Sequence, residues 1–426
     1  MKKLLFILFL FSGNAFAQKD CDSSRIPIVF VHGFMASGDT WATQVQRYST
    51  NGFCENRLFV FDWNTFGGDR KQDSLLDVFI NDILQRSHAR QVNLVGHSAG
   101  TGLCFGYLKD SLHALKVAHY VNIAGFKMKS AAGPGGIIPT LNIYSTGDNV
   151  VPGSDIPGAE NIKLTGKDHL QAATSEETFS AMFNFFNADK RLPITEIGRS
   201  ENASIMVGGK GVLLGDNKPV QDSFIVYLFN PKTGKRYSDN QIRPGGVLGN
   251  WSVFNKDGRW GFEVKKDSYL EFEVHPEKGR RLFYFFEPSL RNNQNMYIRT
   301  LPQSGMLSAM LGDIPADDQQ TALVIFSSNQ AVIAGRDSLA IDSIPLSTAI
   351  LAPASKTAIA FFIFDEGDKT SPGSALKRFK MAPFLSGADV FIKADEKNNM
   401  RVYYNGRSMV LPKMKSKEGI MIAVFN

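Results

Sequence analysis

Apolar and polar positions change rhythm twice along this chain. From residue 26 to about 190, short β-branched apolar runs alternate with stretches whose apolar residues recur at helical spacing. The runs at 26–31, 57–61, 92–95, 119–123, 141–145 and 161–164 read as strands, and 41–49, 74–86 and 99–109 read as helices between them. That alternation predicts an α/β domain with a mostly parallel sheet covered by helices. A closing helix opens at Thr174-Ser175-Glu176-Glu177, a capping-box pattern, and sets Phe179, Met182, Phe183 and Phe186 on one face.

After Leu192-Pro193 the texture becomes all-β. Leu270, Phe272 and Val274 alternate with Glu271 and Glu273, the pattern of a half-buried strand, and 230–234 and 256–258 read as turns. A second change falls near Leu301-Pro302. Beyond it, 321–326, 358–364, 390–393 and 421–425 read as strands, and Asn405-Gly406 is a hairpin signal. The expected organisation is an α/β domain at 18–192 followed by two all-β domains of sandwich or barrel type, at 193–301 and 302–426. No fixed-period repeat points to a solenoid or propeller.

Composition adds a compartment. Met1-Lys2-Lys3, an apolar run over 4–11 and Ala15-Phe16-Ala17 read as a secretory signal peptide at 1–17, cleaved after Ala17, which makes the mature protein secreted or periplasmic. The apolar run is too short to span a bilayer as a helix, so no transmembrane segment is expected after cleavage. Loss of Lys2 and Lys3 takes the net charge from +6 to +4 (6 − 2), and no Lys/Arg block marks a nucleic-acid surface. Export also admits a disulfide. Cys21 and Cys54 each precede a predicted strand and are placed to pair if those strands are parallel neighbours, although spacing leaves the connectivity open. Cys104 is left over, as a buried free thiol.

The chemistry gathers at 92–106, VNLVGHSAGTGLCFG. An apolar strand meets Gly96-His97-Ser98-Ala99-Gly100 and passes into a helix rich in small residues, which presents Ser98 as a nucleophile on a sharp turn. A serine needs a base, and the base needs an orienting acid. Of seven histidines, His32 and His97 belong to the HG and GHSAG motifs, His88 and His113 lie at helix ends, His119 opens a strand at its wrong end and His275 lies in the β region. His169 alone follows the last predicted strand of the α/β domain, where ligand-side residues of an open sheet collect. Asp148, in the loop after 141–145, is the expected acid; Asp155 lies further from the strand tip, and Asp168 is the immediate neighbour of the histidine it would have to orient. The order Ser98, Asp148, His169 is that of α/β hydrolases. Backbone N–H groups of Phe34 and Ala99 are the expected oxyanion donors. No metal and no cofactor is called for, and the acidic turn at 365–368 lacks a calcium-binding spacing and reads as a solvated hairpin tip.

With these residues in hand, the sequence resembles secreted lipases and esterases of the α/β-hydrolase superfamily, most like the archaeal-type lipases that carry a C-terminal β region implicated in binding lipid. The resemblance runs through IPIVFVHGF, VNLVGHSAG, KVAHYVNIAG, IPTLNIYSTGDNVVPG and HLQAATSEETFSAMFNFFN, and continues in FFIFDEGDKTSPGS and MAPFLSGADVFI. It implies a carboxylic ester hydrolase acting on acyl ester or lipid substrates, with contact to a lipid surface. Two departures stand out. The archaeal lipase acid follows the strand matched by 119–123, where this chain has Ala124, and 62–92 leaves no room for that lipase's long helical insertion. Phe126 and Met128, with the glycine-rich 131–138, are placed to border the site. Met306, Leu307, Met310 and Leu311 form an apolar patch read either as acyl-chain contacts or as packing. An esterase on acylated polysaccharide or polyester, and an inactive binding or adhesion module, are the rival readings.

Overall fold

Six parallel strands form the spine of the first domain: β1 (Ile28–Val31), β2 (Leu58–Phe61), β3 (Val92–His97), β4 (Val117–Ile123), β5 (Thr140–Ser145) and β6 (Glu160–Leu164), in the spatial order β2-β1-β3-β4-β5-β6. The structure, a computed structural model, describes residues 21–66, 71–187, 192–241, 252–253, 257–302, 305–311, 314–380 and 382–426. The expected signal peptide lies outside these.

Strands β1 and β3 are buried along their whole length, which is why they read as continuous apolar runs rather than alternating ones. Period-two geometry divides β1 between two cores. Ile28 and Phe30 pack with Trp41, Tyr48, Phe179 and Phe183, while Val29 and Val31 pack with Leu76, Ile80, Ile83 and Tyr107. Helices α1 (Ala42–Thr50) and α4 (Glu176–Phe186) therefore cover one face, and α2 (Gln72–Ser87) and α3 (Ala99–Tyr107) the other. The capping pattern before α4 is used one residue later than expected: Ser175 is the N-cap and its Oγ accepts from the Thr178 N–H at 3.3 Å, because Thr174 is still held in the preceding short helix Gln171–Thr174. Cys21 and Cys54 are disulfide-bonded with their Cα atoms 4.9 Å apart, at the starting ends of the paired neighbours β1 and β2, and Cys104 is free and buried.

The β region differs from the expected pattern in three places. First, the change of texture at Leu301-Pro302 does not separate two sheets. Gly419–Val424 lies between Arg281–Phe286 and Leu323–Phe326, parallel to both, so one nine-stranded mixed sheet among the described residues draws strands from both sides of Leu301. A three-stranded and a four-stranded sheet pack with it, and the two largest apolar cores each mix residues from before and after 301. Second, Glu271 and Glu273 are 4% and 7% exposed, not on an open face. Arg236 makes a two-pronged contact with Glu271 at 2.8 and 2.6 Å and reaches Glu273 at 3.0 Å, which makes burial of both carboxylates tolerable. Third, 390–393 is not a strand. The ladder partner of Ala360–Phe364 is Leu385–Asp389, whose Gly387 runs so close to Phe379 that an added Cβ would lie 2.4 Å from its ring. The Asn405-Gly406 hairpin forms as expected, with φ of 45° and 80° at the two turn residues.

This region seats itself on the loops at the C-terminal ends of the parallel strands. Arg299 bonds Asp39 at 2.5 Å with both residues buried, Asp62 takes Lys210 at 2.5 Å and the Tyr297 hydroxyl at 2.7 Å, Ser37 donates to Asn217 at 2.5 Å, and Thr174 donates to the Asn329 carbonyl at 2.5 Å.

Candidate active site

The loops beneath that contact hold Ser98, Asp148 and His169. Strand β3 runs straight into Ser98, whose φ of 52° and ψ of −123° lie in a region non-glycine residues rarely occupy. Its own N–H donates to the Ile123 carbonyl at 2.9 Å and its carbonyl accepts from the Thr101 hydroxyl at 2.6 Å, so strand β4 and helix α3 fix the strained turn from two sides. Glycine is required next to it. A Cβ on Gly100 would stand 2.5 Å from the His32 carbonyl oxygen and 2.7 Å from that of Val31, and one on Gly33 would stand 3.0 Å from Ser98 Cβ. The loop after β1 thus lies against the serine. Phe34 follows Gly33 in that loop, and Ala99 is the first residue of α3, where N–H groups have no partner within the helix.

Asp148 and His169 come together as the sequence order anticipates. His169 Nδ1–H donates to Asp148 Oδ2 at 2.7 Å, with the two side chains 2% and 1% exposed. Asp148 Oδ1 accepts from the N–H groups of Val150 and Val151 at 2.8 and 3.0 Å. Burial pushes this carboxyl upward, but the hydrogen bond and charge of His169 and those two N–H groups outweigh it and hold the pKa below the ordinary value. With Nδ1 committed as donor, Nε2 is left to accept, and it is buried with no hydrogen-bond partner among the described residues. The elbow also grips the histidine loop: His97 Nε2–H donates to the His169 carbonyl at 2.9 Å, and the two rings lie 4.8 Å apart.

The rival acids sit elsewhere. Asp155 accepts from the Tyr144 hydroxyl at 2.8 Å on the surface, and Asp168 faces away from its neighbour's ring toward Arg336 at 2.8 Å. Ala124, at the position of the archaeal lipase acid, ends β4 with φ 47° and no exposure. The motif histidines are held neutral by burial, His32 lowered to about 4 and His97 to about 3. Burial also pushes the Cys104 thiol far up, which disfavours its thiolate.

Sequence reasoning missed the roof. Ser98 is 8% exposed, and His169 only 1%, because the β region lies over the histidine turn. Phe384, itself in the left-handed region at φ 64°, stacks on the His169 ring at 6.1 Å and 25°. With Leu170, Ala331 and Ile359 it forms a buried apolar cluster, against which Phe34 and Val150 pack. Only the unusual φ hints at Phe384, and φ cannot be read from sequence. Of the expected substrate contacts, Phe126 is 60% exposed in the loop after β4 and Met128 is half-buried there. Leu307 belongs to the β core beside Phe66, which in turn meets Phe34 edge-on at 5.3 Å. The side chains of Met306 and Met310 lie outside the described residues. Asp365 is buried and accepts from Gly367 and Lys369 N–H groups at 3.0 Å, bracing a turn whose following residues, 366–370, are exposed as expected, and no cluster of metal-binding side chains occurs among the described residues.

Together the parallel sheet and the serine elbow define an α/β-hydrolase fold, and residues 26–135 match a family model of that description. A second match, over residues 311–411, is to a model of a C-terminal domain. A non-heme chloroperoxidase of Kitasatospora aureofaciens is 28% identical over 174 residues, which cover 38% of this chain. The chain spans about half the length of that relative (55%). Among solved structures, a hydrolase of Thermoplasma acidophilum is 21% identical over 38% of this chain and 88% of its own, with a TM-score of 0.31. A Bacillus licheniformis lipase is 14% identical over 40% and 95% of the two chains, with a TM-score of 0.32. No helix among the described residues is long and apolar enough to cross a membrane.

Proposed function

We propose that this protein is an exported serine carboxylic ester hydrolase of the lipase kind, cleaving acyl esters through an acyl-enzyme. The observation that carries the reading is the His169–Asp148 bond at 2.7 Å, with Nε2 left free in a site that also holds the Ser98 elbow. Ser98 Oγ attacks the acyl carbon as its proton passes to His169 Nε2. The resulting imidazolium is stabilised by Asp148 and gives the proton to the departing alcohol. Water then repeats the sequence on the acyl-serine, losing its proton to His169 and releasing the acid as the proton returns to Ser98. Backbone N–H groups of Phe34 and Ala99 hold the oxyanion, each contributing on the order of a hundredfold in rate.

The α/β domain, 18–192 once a signal peptide at 1–17 has been removed, performs this chemistry; the stretches 193–301 and 302–426 pack on it, and the latter supplies the apolar side of the site through Ala331, Ile359 and Phe384. Phe126 and Met128 border the opening, and Leu307 backs the apolar wall behind Phe66 and Phe34 toward a lipid acyl chain. The test is a series of p-nitrophenyl esters from acetate to palmitate. Turnover rising to long chains supports the lipase, a short-chain optimum makes the protein an esterase of small or polymer-borne acyl groups, and no turnover with no fluorophosphonate labelling of Ser98 overturns the reading.

A further inference from the structure

The general base is not held by its own domain alone. Asp168, the residue before His169, is 2% exposed and divides its carboxylate between the two parts of the molecule. Oδ1 accepts from the Leu170 and Gln171 N–H groups at 2.9 Å each, which shapes the turn carrying His169 into the helix Gln171–Thr174. Oδ2 accepts from Arg336 Nη2 at 2.8 Å and from the Ala331 N–H at 3.3 Å, both in the β region. Arg336 closes the figure. Its Nη1 donates to Gln171 Oε1 at 2.9 Å, its Nη2 to the Ala331 carbonyl at 2.5 Å, and its Nε to Asp337 at 2.9 Å, so the guanidinium is fixed from behind by its own loop while its front holds the histidine turn. Gln171 reaches back to the Asp168 N–H at 3.2 Å. The same 330s loop places Ala331 in the apolar cluster that includes Phe384, the ring stacked on His169.

From this arrangement we infer that Asp168 and Arg336 are positioning residues for the hydrolytic reaction: the β region, through an ion pair across the two parts of the chain, sets where the imidazole of His169 stands relative to Ser98. The inference rests on the ester-hydrolase reading above. A planar guanidinium meeting a carboxylate while also bonding Gln171 restrains direction as well as distance, which a lone point charge does not. Catalysis by a base depends on sub-ångström placement, so loosening the turn acts on the chemical step rather than on substrate binding. Neither residue touches substrate.

The experiment uses the full-length protein with Arg336→Met, Arg336→Lys and Asp168→Asn, measuring kcat and KM on the preferred p-nitrophenyl ester and amide hydrogen exchange across 167–175. Arg336→Met is expected to lower kcat by about 10- to 100-fold with KM within about twofold. The lysine variant, which keeps the charge, should recover part of the loss. Exchange at Leu170 and Gln171 should rise at least about tenfold in the methionine and asparagine variants, since opening of that turn no longer has to break the clasp. Native kcat in Arg336→Met, or unchanged exchange in both folded variants, overturns the inference. Should a variant fail to fold, the remaining variants carry the test through the same two measurements. If the native protein neither turns over an ester nor labels with a fluorophosphonate, the hydrolase reading falls and the positioning role with it; the exchange arm then reports only whether the clasp holds the turn.

Discussion

The serine elbow and the histidine turn meet in one site but are built in opposite ways. The elbow is made by the chain around it: strand β3, the strained Ser98, two close-packed glycines at 96 and 100, and helix α3 follow within sixteen residues (92–107). The histidine turn is held from afar, by Asp148 twenty-one positions earlier, by His97 seventy-two positions earlier and by Arg336 across the boundary with the β region. A serine held by local backbone strain draws on few distant partners, chiefly the Ile123 carbonyl and the loop after β1. An imidazole positioned by side chains from three separate segments depends on each of them.

That contrast is broken most sharply at the reacting atoms. Ser98→Ala should reduce ester turnover by about 10⁴-fold or more while the thermal midpoint stays near native, read by p-nitrophenyl ester kinetics beside circular dichroism. Asp148→Asn should cost about 10³- to 10⁴-fold in kcat, because an amide cannot fix the imidazole tautomer or compensate its charge, whereas Asp155→Asn should stay within about threefold. The reverse ranking would move the acid to Asp155. A milder acid challenge probes the elbow and the loop after β1 that lies against it. His32 and His97 have folded pKa values of about 4 and about 3 against an ordinary 6.5, so the unfolded chain takes up protons that the native one refuses. Their contribution is complete above pH 6.5 and is lost as pH falls, down to about 4 for His32 and about 3 for His97, on the order of 3 kcal/mol for His32 and about 5 kcal/mol for His97. Urea midpoints measured from pH 7 to 4 should therefore fall steadily, and His97→Asn should flatten the slope. The smallest effects test the elbow's packing. Gly100→Ala should destabilise by about 1–3 kcal/mol, since backbone oxygens cannot move aside, while Gly102→Ala on the open side of α3, where a methyl group would meet nothing within 4 Å, should be neutral or stabilise by up to about 1 kcal/mol.

The same contrast explains how much the sequence revealed. The six parallel strands, the elbow, and the order of Ser98, Asp148 and His169 were legible because each rests on local periodicity or on a loop that follows a recognisable strand. The β region was legible in texture but not in connection. Nothing near residue 420 announces that its neighbours are 281–286 and 323–326, and Glu271 looks solvated until Arg236 is seen to reach it. The apolar 390–393 passed for a strand because alternation is all a short window offers, while the real strand, Leu385–Asp389, is disguised by Ser386 and Gly387. Phe384 and Arg336 were invisible for the same reason: their partner is a loop more than 160 residues earlier (336 − 168 = 168).

Placing Gly419–Val424 in the middle of the large sheet has a consequence for how the molecule is assembled. Both neighbouring strands must wait with an open edge until that segment arrives, and such long-range parallel pairing is slow to form. The α/β half can organise around its own contacts early, yet the ceiling over His169 closes only when the distant segment slots in. A nascent chain therefore passes through a stage in which the serine elbow is already formed and its surroundings are still wet.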